Sequence, residues 1–157
     1  MDMSSTMTHY MELLAANQPW NLLIFMAIPV VFAEFIAVTE LSILFQRTTS
    51  GAIKRLNGYA GIFVGFYFLG VFLYLLFNAV LPITAAGAWR GPADVIAVGF
   101  YLLGVVPLLG MALLELKVVG RALDATGRLK THALLVAVFL VVAHVAMIFG
   151  MLNPTLL

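Results

Sequence analysis

Long apolar stretches alternate with short polar connections along most of the chain. The apolar stretches run from Trp20 to Gln46, Tyr59 to Leu81, about Val95 to Val118, and Ala133 to Leu152. Each provides the roughly 20 residues that a helix rising 1.5 Å per residue needs to cross a hydrocarbon core of about 30 Å. Within lipid such segments must be helical, because only a helix satisfies its own backbone groups there. The pattern predicts an all-α fold: an integral membrane four-helix bundle formed as one membrane domain over residues 1–157.

Loop chemistry separates the spans. Thr48-Thr49-Ser50-Gly51 and Asn57-Gly58 bracket the first connection. Pro82, Gly87, Gly91 and Pro92 punctuate the second, Asp124 to Lys130 forms the third, and Asn153-Pro154 ends the last helix. Residues 1–17 are expected to form an interfacial segment with a short helix, since Met3, Met7 and Met11 recur every four residues beside Tyr10, Leu13 and Leu14. The first nineteen residues hold no Lys or Arg. They do not resemble a cleaved signal peptide, and the first span is expected to insert uncleaved.

Basic residues orient the spans. Arg47, Lys54 and Arg55 belong to the first loop and Lys117, Arg121, Arg128 and Lys130 to the third, whereas the second loop has only Arg90. The excess places loops one and three in the cytoplasm and both termini outside. Trp20, Trp89 and Tyr59 are expected in the interfacial aromatic belt.

Small residues predict which faces pack, because helices in lipid associate through close approach rather than hydrophobic drive. On the fourth span Ala133, Ala137, Leu140, His144, Met147 and Met151 form one stripe, opposite the bulky Leu134, Val138, Val142, Val145 and Phe149. The stripe is expected to face protein. Ala97, Tyr101, Gly104, Met111 and Glu115 form its counterpart on the third span, and Gly61-x-x-x-Gly65 marks close intramolecular packing on the second. On the first, Ala27, Glu34 and Ala37 line one side and Ala33, Ala37 and Glu40 an adjacent one, with Pro29 expected to kink the helix or free a carbonyl.

Composition sharpens the membrane reading and narrows the chemistry. The chain is 64% hydrophobic and 10% charged, against about 25% charged in soluble domains. Its mean hydropathy is +1.11. A net charge of +1 and only eight Lys and Arg, without interleaved aromatics, give no nucleic-acid footprint. The absence of cysteine excludes disulfides, thiolate catalysis and thiolate metal sites.

Ionisable groups at membrane depth cost roughly 2.5–3.5 kcal/mol on insertion scales, so each is a candidate site. Glu34, counted from Gln46, and His144, counted from His132, both come out about 18 Å deep at 1.5 Å per residue. Together they can relay protons, bind a polar substrate group, or only fix helix register. His144, Met147 and Met151 have a spacing suited to a soft metal such as copper, which takes imidazole and thioether ligands. Haem is disfavoured, since only His144 is expected within a span. Glu40 and Glu115 are expected to pair with bases of the first or third loop, and His132 to be interfacial. His9, Arg90 and Asp94 can form a polar mouth on the outer side, although helix capping alone accounts for Asp94. No nucleophile–base arrangement or phosphate loop is visible, so binding is expected rather than catalysis. The two roles in view are a membrane-embedded binding protein and an accessory subunit of a larger complex. Partners beyond lipid would be further copies of the chain or that complex.

His9-Tyr10-Met11-Glu12-Leu13-Leu14, Asn17-Gln18-Pro19-Trp20-Asn21 and Ala143 to Met151 resemble an uncharacterised family of small bacterial four-span inner-membrane proteins, sometimes labelled permeases. The resemblance implies the four-helix fold and a bacterial inner-membrane setting, and it brings no known site residues.

Overall fold

A computed structural model describes residues 6–46 and 51–156. Met3, Arg47 and Thr48-Thr49-Ser50 lie outside the described residues. Every regular element among those described is helical: α1 (His9–Ala15), α2 (Trp20–Gln46), α3 (Ala52–Ala85), α4 (Pro92–Glu115), α5 (Ala125–Gly150), and a final 3₁₀ turn, Pro154–Leu156. The four helices α2 to α5 are long and apolar enough to cross a membrane. The chain is a multi-pass membrane protein, as its hydropathy pattern predicts.

Three spans begin before their apolar stretches. For α5 the cause is a cap: Asp124 Oδ1 accepts a hydrogen bond from Gly127 N at 2.7 Å, which starts the helix at Ala125. Arg128 and Lys130 therefore ride on its first turns, and His132 sits two turns inside. Likewise α3 starts at Ala52, which makes Asn57 a helical residue rather than a loop residue.

The described residues fall into two compact units, one comprising 29–69 and 105–140, the other 1–28, 70–104 and 141–157. In the first, α3 packs by its glycines. A Cβ on Gly65 would lie 2.5 Å from the Leu108 carbonyl oxygen and 2.6 Å from Ala112 Cβ. The Gly61-x-x-x-Gly65 signal thus marks intramolecular packing, as expected. Phe68 meets Phe139 edge-to-face, with centroids 6.1 Å apart.

In the second unit, α1 is held by polar contacts. Thr8 caps it, accepting from Met11 N, and donates its hydroxyl to Gly150 O at 2.7 Å. Tyr10 is buried against Gly150, where a Cβ would come 2.6 Å from its ring. Gly91, at φ 150°, lets the chain approach Pro154, whose carbonyl oxygen would collide with a Cβ there. A π-helical turn, Leu23–Ala27, precedes Pro29. Pro29 has no N–H to offer the Phe25 carbonyl, and Tyr101 Oη donates to it instead at 2.5 Å. The freed carbonyl expected at this proline has a partner.

The buried face of α5 differs from the expected stripe: Leu134 and Val138 are exposed as expected, but Val142, expected toward lipid, is buried. Its buried side is His132, Val136, Phe139, Val142, Ala146 and Gly150. Ala137, His144, Met147 and Met151 are exposed, as is Val138. A helix read from Ala133 leaves out His132, and with it the first position of the true stripe. On α4 the expected stripe holds, with Ala97, Tyr101, Gly104 and Met111 buried and Glu115 half-buried.

Candidate functional site

The first unit contains a polar cluster on four helices. Glu40 on α2 is 2% exposed, and Asn57 on α3 and His132 on α5 are fully buried. Glu40 Oε2 accepts from Asn57 Nδ2 at 2.9 Å and lies 2.9 Å from His132 Nδ1. Asn57 Nδ2 also reaches Thr39 Oγ1 at 2.9 Å and the Ile36 carbonyl at 3.2 Å, so its two hydrogens serve three acceptors. On α4, Glu115 Oε1 lies 3.8 Å from His132 Nε2 and accepts from Lys54 Nζ at 2.9 Å.

Glycines make room for this row. A Cβ on Gly58 would lie 3.0 Å from Glu115 Oε2, and one on Gly61 would lie 3.0 Å from His132 Nε2. The stretch from Asn57 to Gly61 therefore supplies one amide and two gaps in little more than a single turn of α3.

Satisfaction of the cluster is incomplete. Glu40 Oε1, Asn57 Oδ1 and His132 Nε2 are buried without a hydrogen-bond partner among the described residues. Unmatched buried polar atoms are rare in folded proteins, and each costs about 1–3 kcal/mol. Three in one cluster are a reservoir of hydrogen-bonding capacity for a proton, water or a small guest. The 3.8 Å gap between His132 and Glu115 exceeds hydrogen-bond length.

The row ends at a cavity of about 550 Å³ lined by Lys54, Glu115, Lys117, Arg121 and Arg128, with Ile43 and Leu129 among its apolar walls. Arg128 donates to the Leu114 carbonyl at 2.6 Å, tying α5 to the end of α4. On its α2–α5 side Glu40 lines a shallow groove of about 170 Å³ bordered by Ala37, Leu41, Ala133, Ala137 and Leu140.

The second unit holds another cluster. Asp94, fully buried, lies 2.5 Å from His9 Nδ1 and accepts from His9 N at 2.7 Å and Arg90 N at 3.2 Å. Arg90 also donates to the Met7 carbonyl at 2.6 Å and pairs with Glu12. Of the three residues grouped from the sequence as a polar mouth, His9 and Arg90 both hydrogen-bond to Asp94, and these contacts fasten α1. Burial pushes the neighbouring Tyr10 phenol up to about 12.

Glu34 is exposed on α2 and His144 on α5, in different units, which overturns the expectation that both face the protein interior. Sequence reasoning missed Asn57, placed in a loop, and His132, placed at the interface. The readable signals are the Asp124 cap with Gly127 at its third position, and the run His132, Val136, Phe139, Ala146, Gly150 at spacings of three, four and seven. Glu115 does pair with a base of the first loop, Lys54, whereas Glu40 takes His132 and Asn57. Among the described residues no group of three or more His, Asp or Glu is arranged to hold a metal ion.

The chain belongs to a family of unknown function, DUF6803, whose model matches residues 5–157. Neither the curated proteins nor the solved structures include a match to it.

Proposed function

For this family we propose a membrane-embedded proton-binding role, centred on the Glu40–His132–Glu115 row, in which Asn57 holds the Glu40 carboxylate. The observation that carries the reading is the set of three buried, partnerless atoms, Glu40 Oε1, Asn57 Oδ1 and His132 Nε2. A neutral His132 that donates from Nδ1 to Glu40 leaves a bare Nε2 lone pair. A proton added there turns the ring into an imidazolium between two carboxylates. A carboxylate about 4 Å away contributes roughly 4 kcal/mol at an effective dielectric near 20. Glu115 and the Lys54 ammonium then connect the row to the basic cavity, whose charged walls are Lys117, Arg121 and Arg128. Positive-inside orientation puts this cavity at the cytoplasmic surface, as part of the same proposal. The setting would be a bacterial inner membrane, with permease-like proton coupling.

Infrared difference spectroscopy of protein in bilayer nanodiscs tests the role. An imidazolium ring band that appears on acidification and is lost in His132→Gln supports it. The absence of such a band, or one that His132→Gln leaves in place, refutes it.

A second reading concerns association. Exposed Glu34 makes no ion pair among the described residues and is flanked by exposed Val31, Phe35 and Val38. A carboxylate on a lipid-facing helix favours cover by a second copy of the chain, or by a larger complex to which this chain is accessory. A metal or small-ligand role for Glu34, or for His144, Met147 and Met151, would likewise fall on exposed positions of α2 and of α5. A drop in detergent-solubilised mass from dimer to monomer in Glu34→Leu supports self-association, and an unchanged mass counts against it.

A further inference from the structure

The cavity at the end of α4 carries more positive charge than the protein itself neutralises. Lys54, Lys117, Arg121 and Arg128 line it, with Glu115 as the one acidic residue among its described walls. Lys54 takes Glu115, while Lys117, Arg121 and Arg128 form no ion pair among the described residues. Arg121 Nε donates to the Lys117 carbonyl at 2.9 Å, and Arg128 Nη2 to the Leu114 carbonyl at 2.6 Å. Each bond pins a guanidinium to the end of α4 and uses one of its five N–H donors. Lys117 stands where glycine commonly ends a helix. Lys117 N and Val118 N donate to the Leu114 and Leu113 carbonyls at 3.1 and 2.9 Å, and Lys117 has φ 59°. Glycine would suit that turn better but would bring no ammonium to the cavity. The same connection exposes Leu116, Val118, Val119 and Leu123. Apolar side chains exposed beside cations, just beyond a span, suit the boundary between headgroups and acyl chains.

We propose that this cavity binds the phosphate of an anionic phospholipid headgroup, through the spare donors of Arg121 and Arg128 and the charge of Lys117. Guanidinium forks match phosphate oxygens in pairs. A volume of about 550 Å³ falls within the roughly 300–1,000 Å³ of small-ligand pockets, so it admits a headgroup as well as its phosphate. Orientation by basic loops requires Lys and Arg on this side of the membrane, but it does not require them around one cavity. The surplus positive charge selects an anionic lipid over a zwitterionic one, whose own cation would be brought against Lys and Arg. A soluble phosphate ester offers the same oxygens. The exposed Leu116, Val118, Val119 and Leu123 favour the lipid, because only the lipid brings acyl chains for them to meet. The inference goes beyond the proton reading: of the Glu40–His132–Glu115 row only Glu115 lines this cavity, and no titration of His132 enters the binding.

Native mass spectrometry of the full chain in detergent tests it, with equal amounts of phosphatidylglycerol and phosphatidylcholine carrying the same acyl chains. Phosphatidylglycerol should be retained in preference by roughly tenfold or more. Lys117→Gly combined with Arg121→Gln should remove that preference with little change in thermal unfolding, since both side chains are exposed and glycine fits the left-handed turn. Arg55→Gln combined with Lys130→Gln deletes the same charge from exposed positions that do not line the cavity, and should leave the preference in place. Ala125→Trp keeps every charge but takes up cavity space, and should weaken retention as well. Equal retention of the two lipids would overturn the inference. So would equal loss in the two double variants, which would mean diffuse attraction, or unchanged retention in Ala125→Trp. Glycerophosphoglycerol, the same headgroup without acyl chains, should not displace the lipid. Displacement at comparable concentration would make this a site for a soluble phosphate and refute the lipid assignment.

Discussion

His132 Nδ1 lies 2.9 Å from Glu40 Oε2, and both side chains are removed from solvent. Buried ion pairs seldom add much net stability, but breaking one strands a charged or polar partner at a cost of about 3–5 kcal/mol. His132→Ala and Glu40→Ala should each lower the thermal unfolding temperature in detergent substantially. The double variant should lose less than the sum of the two, because neither partner is left behind. Additive losses would show that the contact is not a coupled pair.

Glycine substitutions on α3 separate packing from propensity. At Gly65 a new Cβ meets the Leu108 carbonyl oxygen at 2.5 Å, an atom fixed in the backbone of α4. Gly65→Ala should destabilise by about 1–3 kcal/mol. At Gly70 nothing lies within 4 Å of the added atom. Gly70→Ala should be neutral or stabilising by up to about 1 kcal/mol, since alanine favours the helix. Thermal stability of the two variants side by side decides the matter, and equal losses would contradict the close approach of α3 and α4.

Tyr10 gives the N-terminal helix a defined alkaline limit. Its phenol is pushed up to about 12 by burial, whereas a free phenol has a value near 10. Only the neutral form is compatible with the buried site, so docking is fully stable below about pH 10 and weakens as pH rises toward 12. The loss approaches roughly 2.7 kcal/mol, from about two units at 1.36 kcal/mol each. Unfolding curves from about pH 8 to about 11.5 should fall more steeply for the native chain than for Tyr10→Phe. Parallel curves would mean that Tyr10 carries no such linkage.

The number of spans was legible because hydropathy over about twenty residues is a coarse average that a few misplaced boundaries do not disturb. The α4 stripe was legible for the same reason: its small and aromatic positions keep a steady phase from Ala97 to Met111. The α5 face was not, because the charges at Arg128 and Lys130 make its first two turns look like a loop. With His132 cut off, the rest of the helix is apolar on every side apart from His144, and no amphipathic contrast fixes its phase. The candidate site fell in that blind region. Asn57 and His132 stand near the ends of apolar stretches, where polar residues are ordinary, and only their contacts with Glu40 distinguish them. Asp94 and His9 show the converse. A helix-capping explanation for Asp94 was sufficient in sequence, yet Asp94 also takes the His9 backbone and ring.

Orientation across the bilayer is directly testable because the chain contains no cysteine, so single-cysteine variants label without background. Three basic residues flank the first loop and four the third, against Arg90 alone in the second. Moving Lys or Arg across the membrane during insertion is costly, which retains the basic loops on the cytoplasmic side. Ala86 follows α3 and Thr126 lies in the first turn of α5, and both are exposed. A membrane-impermeant maleimide should therefore modify Ala86→Cys in intact cells, and Thr126→Cys only after permeabilisation. The reverse pattern would place the basic cavity beside Glu115 outside the cell. The proton row would then exchange with the external medium, and the cytoplasmic assignment made for it would be wrong.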